Sequence, residues 1–265
     1  MEDPYPLDAD LADAFRRDGH VTVRGLISRS EAAAIRPEVA AVVDAVAAAR
    51  DPQGRLDDYG ELFTQVTNAW RLSDRVKGFV FARRFARVAA ELMGVSGVRL
   101  YHDQALVKEP GGRPTPWHQD QYYWPLDTAN TVTLWMPLVD VSVEMGPMIF
   151  ATGSHRMEGW APRPISDQTD AALSEEIRRR GLAIGGGQPL AAGDATFHGG
   201  RTVHAARANR STRRREVMTI IYFADGTRVL EPDNEHRRAD LEVFLPGLAG
   251  GDVAASPLNP VLYSV

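Results

Sequence analysis

Pro116-Trp117-His118-Gln119-Asp120-Gln121-Tyr122-Tyr123 lies between a Gly/Pro-rich loop, Pro110-Gly111-Gly112-Arg113-Pro114, and Trp124-Pro125. Read as an extended strand over 116–123, it sends His118 and Asp120 to one face, because strand side chains alternate with period 2. Both can then grip one ion. A single later histidine, His204 or its rival His198, completes two imidazoles and one carboxylate, a ligand set that leaves open positions on iron(II). His-x-Asp alone is common by chance, and a capping Asp beside a surface His is the bland alternative. The setting adds weight: a loop that delivers polar residues into the aromatic cluster Tyr122-Tyr123-Trp124 is what a small-molecule site needs.

Outward from this stretch, the chain from Val98 reads as short strands separated by Gly/Pro turns, over 98–108, 116–123, 131–138, 148–151, 193–197, 202–206 and 216–223. A short helix is expected over 174–180, on an insertion spanning 157–187. Before the strands come a helix over 7–17 stopped by Gly19, a strand over 20–24, and an Ala-rich helix from Ser28 or Ser30 towards Arg50. Asp51-Pro52-Gln53-Gly54 reads as a turn, and residues 73–93 as one further helix. This pattern predicts a mainly β protein with flanking helices: a jelly roll, the cupin-like double-stranded β-helix, with N-terminal helices packed on one sheet. The expected organisation is one domain over 1–265. A mainly helical section covers 1–97, the core 98–223, and a tail packed along the core 224–265.

The 265 residues suffice for one sizeable core, and 44% hydrophobic with 25% charged residues is ordinary for a soluble globular protein. A formal net charge of -5 argues against nucleic acid or an anionic membrane surface as partner. The absence of cysteine excludes disulfides, thiolate zinc sites, iron–sulfur clusters and cysteine nucleophiles, and fits a reducing compartment. Met1 to Asp10 is acidic and polar, unlike a secretory leader, and no apolar run approaches the ~18 residues of a membrane span. The expectation is a cytoplasmic monomer or small homo-oligomer whose partner is a small molecule.

A second constellation lies downstream. Gly193-Asp194-Ala195-Thr196-Phe197-His198 reads as a turn entering a strand, Gly199-Gly200 breaks it, and Val203-His204-Ala205-Ala206 starts another. Because the glycines break the strand phase, alternation does not choose between His198 and His204. In the basic run from Arg207, the arginines at 207, 210, 213 and 214 read as a solvated loop. Arg215 differs, since it abuts the apolar strand Val217-Met218-Thr219-Ile220-Ile221-Tyr222. A buried Arg can clamp a carboxylate through two parallel hydrogen bonds. A dicarboxylate co-substrate, chelating the metal at one end and held by Arg215 at the other, suits this arrangement.

The order of these pieces resembles the phytanoyl-CoA dioxygenase family of iron(II)/2-oxoglutarate oxygenases. The matching stretches are Asp18 to Gly25, His102 to Pro110, Trp117 to Gln121, Trp135-Met136-Pro137-Leu138 and Gly153-Ser154-His155. They continue through Gly193-Asp194, Phe197-His198, His204 with Asn209, Ser211 and Arg215, and Ser256-Pro257-Leu258-Asn259-Pro260. The resemblance implies His118, Asp120 and His204 as iron ligands, with His198 a non-ligand. It implies Arg215 as partner of the distal carboxylate of 2-oxoglutarate, and Gln104 and Trp135 as lining of the co-substrate pocket. The family often carries Ser two residues after the distal His, where this chain has Ala206. Implied cofactors are Fe(II), 2-oxoglutarate as co-substrate and O2. The implied reaction is hydroxylation of an unactivated C–H of a small organic molecule, with release of succinate and CO2. Related halogenases lack the carboxylate ligand, so Asp120 favours hydroxylation. Desaturation, cyclisation and epimerisation share the same chemistry and stay open, as does a non-catalytic jelly-roll metal- or ligand-binding protein. A zinc hydrolase with two His and one Asp would not account for Arg215. Substrate contacts are expected from loops 65–70, 121–126 and 157–187, with Tyr122, Tyr123 and Trp124 as candidates.

Overall fold

Residues 3–50, 63–160 and 164–265 are described in this computed structural model of the protein. Helix α1 (Ala9–Asp18) starts where the Asp8 side chain accepts from the Asp10 amide. It ends at Gly19, whose φ of 81° lies in the left-handed region that glycine tolerates. Helix α2 (Arg29–Arg50) opens on a reciprocal cap: Ser28 Oγ accepts from the Glu31 amide, and the Glu31 carboxylate accepts from the Ser28 amide. Pro37 lies inside this helix. The turn expected at Asp51 to Gly54 falls outside the described residues.

The single helix expected over 73–93 is two, α3 (Asp74–Val80) and α4 (Arg83–Met93). The cause is a phase change in the apolar stripe. Val76, Phe79 and Val80 are buried, and a continuous helix would carry that stripe on to Arg83, Arg84 and Arg87. A break at Phe81 and Ala82 instead buries Phe85, Ala86, Val88 and Ala89.

Two antiparallel sheets form the jelly roll. The larger contains β1 (His20–Val23), β2 (Phe63–Thr67), β3 (Gly97–Lys108), β5 (Thr131–Pro137), β8 (Ala195–Gly199), β10 (Arg215–Ala224) and β11 (Val261–Ser264). Its order is β1-β8-β5-β10-β3-β11, with β2 also paired to β3. The smaller contains β4 (Thr115–His118), β6 (Met148–Ala151), β7 (Ile184–Gly186) and β9 (His204–Ala206), in the order β4-β9-β6-β7. The strand expected over 116–123 therefore stops at His118. Its partner β9 has only three residues, and the chain turns into a 3-10 segment at Asp120–Tyr122, where the Tyr123 amide donates to the Asp120 carbonyl. The insertion helix expected over 174–180 is longer. As α5 (Asp167–Arg179) it starts at Ser166, whose side chain caps the Thr169 amide. Its Asp170 accepts from the Trp117 amide at 2.8 Å, fixing it to β4. The tail carries a helix, α6 (Glu235–Phe244), and the strand β11. No helix among the described residues is long and apolar enough to cross a membrane.

Alternation sorts the large sheet into an apolar face and a functional face. Val132, Leu134, Met136, Met218, Ile220 and Tyr222 join the core beneath the helices. The intervening Thr133, Trp135, Thr219 and Ile221 line the space between the sheets. Arg36 of α2 grips the buried Glu216 at 2.5 Å, tying the helical layer to β10. On β3 the alternation slips once. His102 pairs with Ile221 and Leu100 with Tyr222, leaving Tyr101 as the extra residue of a β-bulge. Tyr101 and His102, though adjacent, consequently both reach Phe244, with ring centroids 5.5 and 4.1 Å away. The bulge strands backbone carbonyls, and the tail supplies the remedy: fully buried Asn259 donates to the Leu100 and Tyr101 carbonyls, both at 3.1 Å, and accepts from Ser256 Oγ.

Removing a buried partner leaves such carbonyls unsatisfied at about 1–3 kcal/mol each. Asn259→Ala is therefore expected to lower unfolding free energy by about 2–4 kcal/mol, read as a lower urea midpoint with unchanged slope. A second prediction concerns acid stability. His20 of β1 stacks on Phe150 of β6 at 4.5 Å and meets the Thr152 hydroxyl at 3.0 Å, linking the two sheets. Burial pushes its pKa down to about 4. The unfolded chain then takes up this proton first, near pH 6.5, so stability present above that pH is lost as pH falls towards 4. Between pH 7 and 4.5 the wild type should lose about 2–3 kcal/mol more than His20→Gln in paired urea titrations of metal-free protein.

Candidate metal centre and co-substrate pocket

The pairing of β4 with β9 sets His118 directly opposite His204. Their ring centroids lie 4.1 Å apart. Each imidazole is fixed from behind: His118 Nδ1 meets the Pro116 carbonyl at 2.7 Å and His204 Nδ1 the Thr202 carbonyl at 2.9 Å. With Nδ1–H donating, each Nε2 presents a lone pair to the space between the sheets. Asp120 enters that space from the 3-10 turn. Although the strand has ended, Gln119 is still extended, at φ -123° and ψ 126°, so His118 and Asp120 emerge on one side. Asp120 Oδ1 lies 3.5 Å from His118 Nε2 and 3.6 Å from His204 Nε2. The donor atoms of His118, Asp120 and His204 all lie within 4.8 Å of one another.

The rival, His198, stands on β8 in the other sheet. Its Nε2 is 3.4 Å from Asp120 Oδ2, the oxygen that also accepts from the Thr133 hydroxyl at 3.0 Å. Among the described residues no carbonyl fixes its ring, and neither ring nitrogen has a hydrogen-bond partner. Burial alone would raise the Asp120 carboxyl, but the imidazoles of His204, His118 and His198 outweigh this and hold it well below the usual carboxylate range. Burial and the neighbouring imidazoles keep His204 well below its usual value. An anionic carboxylate beside a neutral imidazole is the protonation state that a divalent cation requires.

A cavity of about 460 Å³ opens from this group. Arg215 lies in it, 1% exposed. Burial lowers its pKa to about 10, so it stays charged at neutral pH. It donates to the Gly146 carbonyl, its guanidinium sits 5.5 Å from the Trp135 ring centre, and its Nε has no partner. Gly146 has a φ of 73°, and a Cβ there would strike the Arg207 backbone, so the close approach requires glycine. Among the described residues no carboxylate pairs with Arg215. Its cross-strand neighbour, Lys108, is buried too, and burial followed by the Arg215 charge lowers its pKa to about 7. Gln104 and Trp135 line the same cavity. Ala206 also lines it, and directly across the sheet stands Thr115, whose hydroxyl accepts from Lys108 Nζ at 3.3 Å.

Arg215 and Ile221, six positions apart on β10, are separated by roughly 20 Å along the strand. The cavity thus has a basic end and a second end at Ile221. Tyr123 and Trp124 line the cavity, whereas Tyr122 lies off it, its ring 5.5 Å from that of His236. Each loop expected to contact substrate contributes, through Gln65, Thr67 and Ile165 among others. Asp240 and Phe244 were not anticipated from the sequence, and His102, expected to serve as a hydrogen-bonding residue near the site or in a loop, lines the cavity with its Nδ1 unpartnered among the described residues. The signal for α6 was present in Asp233-Asn234-Glu235, where Asn234 caps the Arg237 amide, and in Leu241, Phe244 and Leu245 at helical spacing.

A jelly roll that carries a His-Asp-His group beside a buried basic pocket is the architecture of iron- and 2-oxoglutarate-dependent oxygenases, and the protein is an enzyme of that class. The chain belongs to the phytanoyl-CoA dioxygenase (PhyH) family, whose model matches residues 15–217. A probable alpha-ketoglutarate-dependent hypophosphite dioxygenase of Stutzerimonas stutzeri is 26% identical over 215 residues, covering 78% of this chain and 75% of the relative. Among solved structures, the non-heme alpha-ketoglutarate-dependent carbocyclase SnoK from nogalamycin biosynthesis is 25% identical with a TM-score of 0.78, covering 98% of this chain and 99% of that one. The epimerase SnoN, in complex with Fe3+, alpha ketoglutarate and nogalamycin RO, is 28% identical with a TM-score of 0.74, covering 96% and 97%.

Proposed function

We propose that this oxygenase hydroxylates an unactivated C–H of a small organic molecule, releasing succinate and CO2 from 2-oxoglutarate. The observation that carries this is a complete donor set, His118, Asp120 and His204, sharing one cavity with a buried arginine that has no counter-charge among the described residues. Residues 1–265 work as one catalytic unit in this proposal, since α6 closes the same cavity that the core strands line. Iron(II) and 2-oxoglutarate, when bound, supply the oxidative decarboxylation that activates dioxygen. The chain holds them. His118 and His204 offer Nε2 because their Nδ1–H groups donate to backbone carbonyls. Asp120 offers one oxygen, while the Thr133 hydroxyl donates to the other and His198 Nε2 stands 3.4 Å from it. Arg215 pairs with the distal carboxylate of the co-substrate, flanked by Trp135 and Gln104. Thr115 brings a hydroxyl to the place where Ala206 provides none. Tyr123 and Trp124 shield the substrate side from water.

A second reading, ring closure or epimerisation, is favoured by the likeness to SnoK and SnoN. Product mass separates the outcomes: a hydroxylated product gains one oxygen, a cyclised one loses two hydrogens, and an epimer keeps its mass. Succinate formation from 2-oxoglutarate with iron(II) tests the reading as a whole.

For the metal, His118→Ala, Asp120→Ala and His204→Ala should each weaken iron(II) binding at least tenfold in calorimetric titration and abolish turnover, because the facial set holds no spare protein ligand. His198→Ala should retain iron and measurable turnover. A dead His198→Ala beside an active His204→Ala would exchange their roles. For the co-substrate, Arg215→Ala leaves a buried carboxylate unpaired, a loss of about 2–5 kcal/mol. The KM for 2-oxoglutarate should rise at least thirtyfold, with Arg215→Lys recovering part of it and Thr115→Val costing severalfold. An unchanged KM in Arg215→Ala would remove the arginine from co-substrate binding.

A further inference from the structure

The end of the cavity away from Arg215 holds a carboxylate that the proposed chemistry does not use. Asp240, on α6, lines the cavity and accepts from the Tyr101 hydroxyl at 2.9 Å. Among the described residues no Arg or Lys pairs with it. Its surroundings are aromatic: Tyr123, Trp124 and Phe244 line the same end, with Tyr101 packed against Trp124 at 5.6 Å and Phe244 at 5.5 Å. His102 completes the wall, stacked on Phe244 at 4.1 Å. It is 3% exposed, its Nδ1 has no hydrogen-bond partner, and burial holds its pKa down to about 4, so it is neutral at physiological pH. Burial, with the Asp120 charge adding to it, raises the Asp240 carboxyl to about 7, so a cation seated against it would favour its ionised form. Asp240 is also anchored to the chemistry: Arg237, one turn earlier on α6, donates to the Gln121 carbonyl at 3.3 Å, next to Asp120.

A lone carboxylate among aromatic faces and a neutral imidazole offers a cation both its charge and its π-contacts. An anionic ligand would meet repulsion from ionised Asp240, whereas a cation offsets the cost of ionising that carboxyl in a buried place. We propose that the substrate carries a cationic amine, seated against Asp240 between the rings of Tyr123, Trp124 and Phe244. This names the substrate class for the function proposed above and rests on it for the site of oxidation.

The test uses the full chain loaded with iron(II) and 2-oxoglutarate without oxygen, titrated calorimetrically with benzylammonium, cyclohexylammonium and benzyltrimethylammonium, each against its neutral isostere. Binding of the ammonium probes about tenfold or more tighter than the isosteres is expected. That preference should collapse in Asp240→Asn and persist in Tyr101→Phe, which breaks the same hydrogen bond but keeps the carboxylate. Equal binding of ammonium and isostere in the wild type, or no ammonium binding at millimolar concentration, overturns the proposal. So does loss of the preference in Tyr101→Phe, which would make Asp240 an anchor of α6 instead. The visible absorption band of iron with 2-oxoglutarate, read on the same wild-type sample, reports separately on the metal and co-substrate site. A band without ammonium preference sinks only the amine seat. A missing band sinks the proposed function, and the titration still decides the amine seat.

Discussion

Side chains on a strand alternate between faces, and in the large sheet one face is already committed to the helices. Met218, Ile220 and Tyr222 are held in the core beneath them, so Arg215, Val217, Thr219 and Ile221 have to face the small sheet. The same phase on β5 delivers Thr133 and Trp135, and on β3 Gln104, Leu106 and Lys108. Charged groups are thereby carried into a space with little water, where desolvation is expensive. Arg215 and Lys108 stand side by side with no carboxylate partner among the described residues, while Asp120 stands among three imidazoles. Such a balance is incomplete as protein alone. In the proposed function, ligands of opposite charge would close it, a divalent cation at the imidazoles and an anion at the guanidinium.

The two sheets contribute unequally. The small sheet provides the paired imidazoles through β4 and β9, each pinned by its own backbone two residues earlier. The large sheet provides Arg215, the flat walls and the hydroxyl that donates to Asp120. Neither sheet holds the whole arrangement, so the fit between them is what fixes the distances. His20 against Phe150 and Arg36 against Glu216 serve that fit from outside the cavity.

Much of this was legible in the sequence, for identifiable reasons. His118-Gln119-Asp120 predicted a shared face, and Arg215 stood out because an apolar strand follows it. The face is shared even though the strand ends at His118, because one extended residue, Gln119, suffices. The single helix expected over 73–93 missed the break between α3 and α4, although three arginines that interrupt the apolar stripe signal it. What else escaped had weaker local signals. Strands β2, β7 and β11 are short, and pairing with segments distant in the chain defines them more than composition does. Helix α6 is short and mostly polar, and its apolar positions Leu241, Phe244 and Leu245 cluster at one end, so the helical spacing there covers barely one turn. Tyr101 and His102 could not be placed together, because a bulge is a property of the pair of strands and not of either alone.

That bulge divides β3 into two provinces. On one side Gln104, Leu106 and Lys108 keep the register that serves the basic end; on the other Tyr101 and His102 answer to α6 and the tail. One extra residue absorbs the mismatch between them. Substitutions or length changes on the tail side can therefore reshape one end of the cavity without shifting the strand that supports the other. A fold built this way can inherit its oxidative machinery unchanged while the molecule it acts upon drifts, and the relatives of this chain, with their different activities, are what such a division of labour would leave behind.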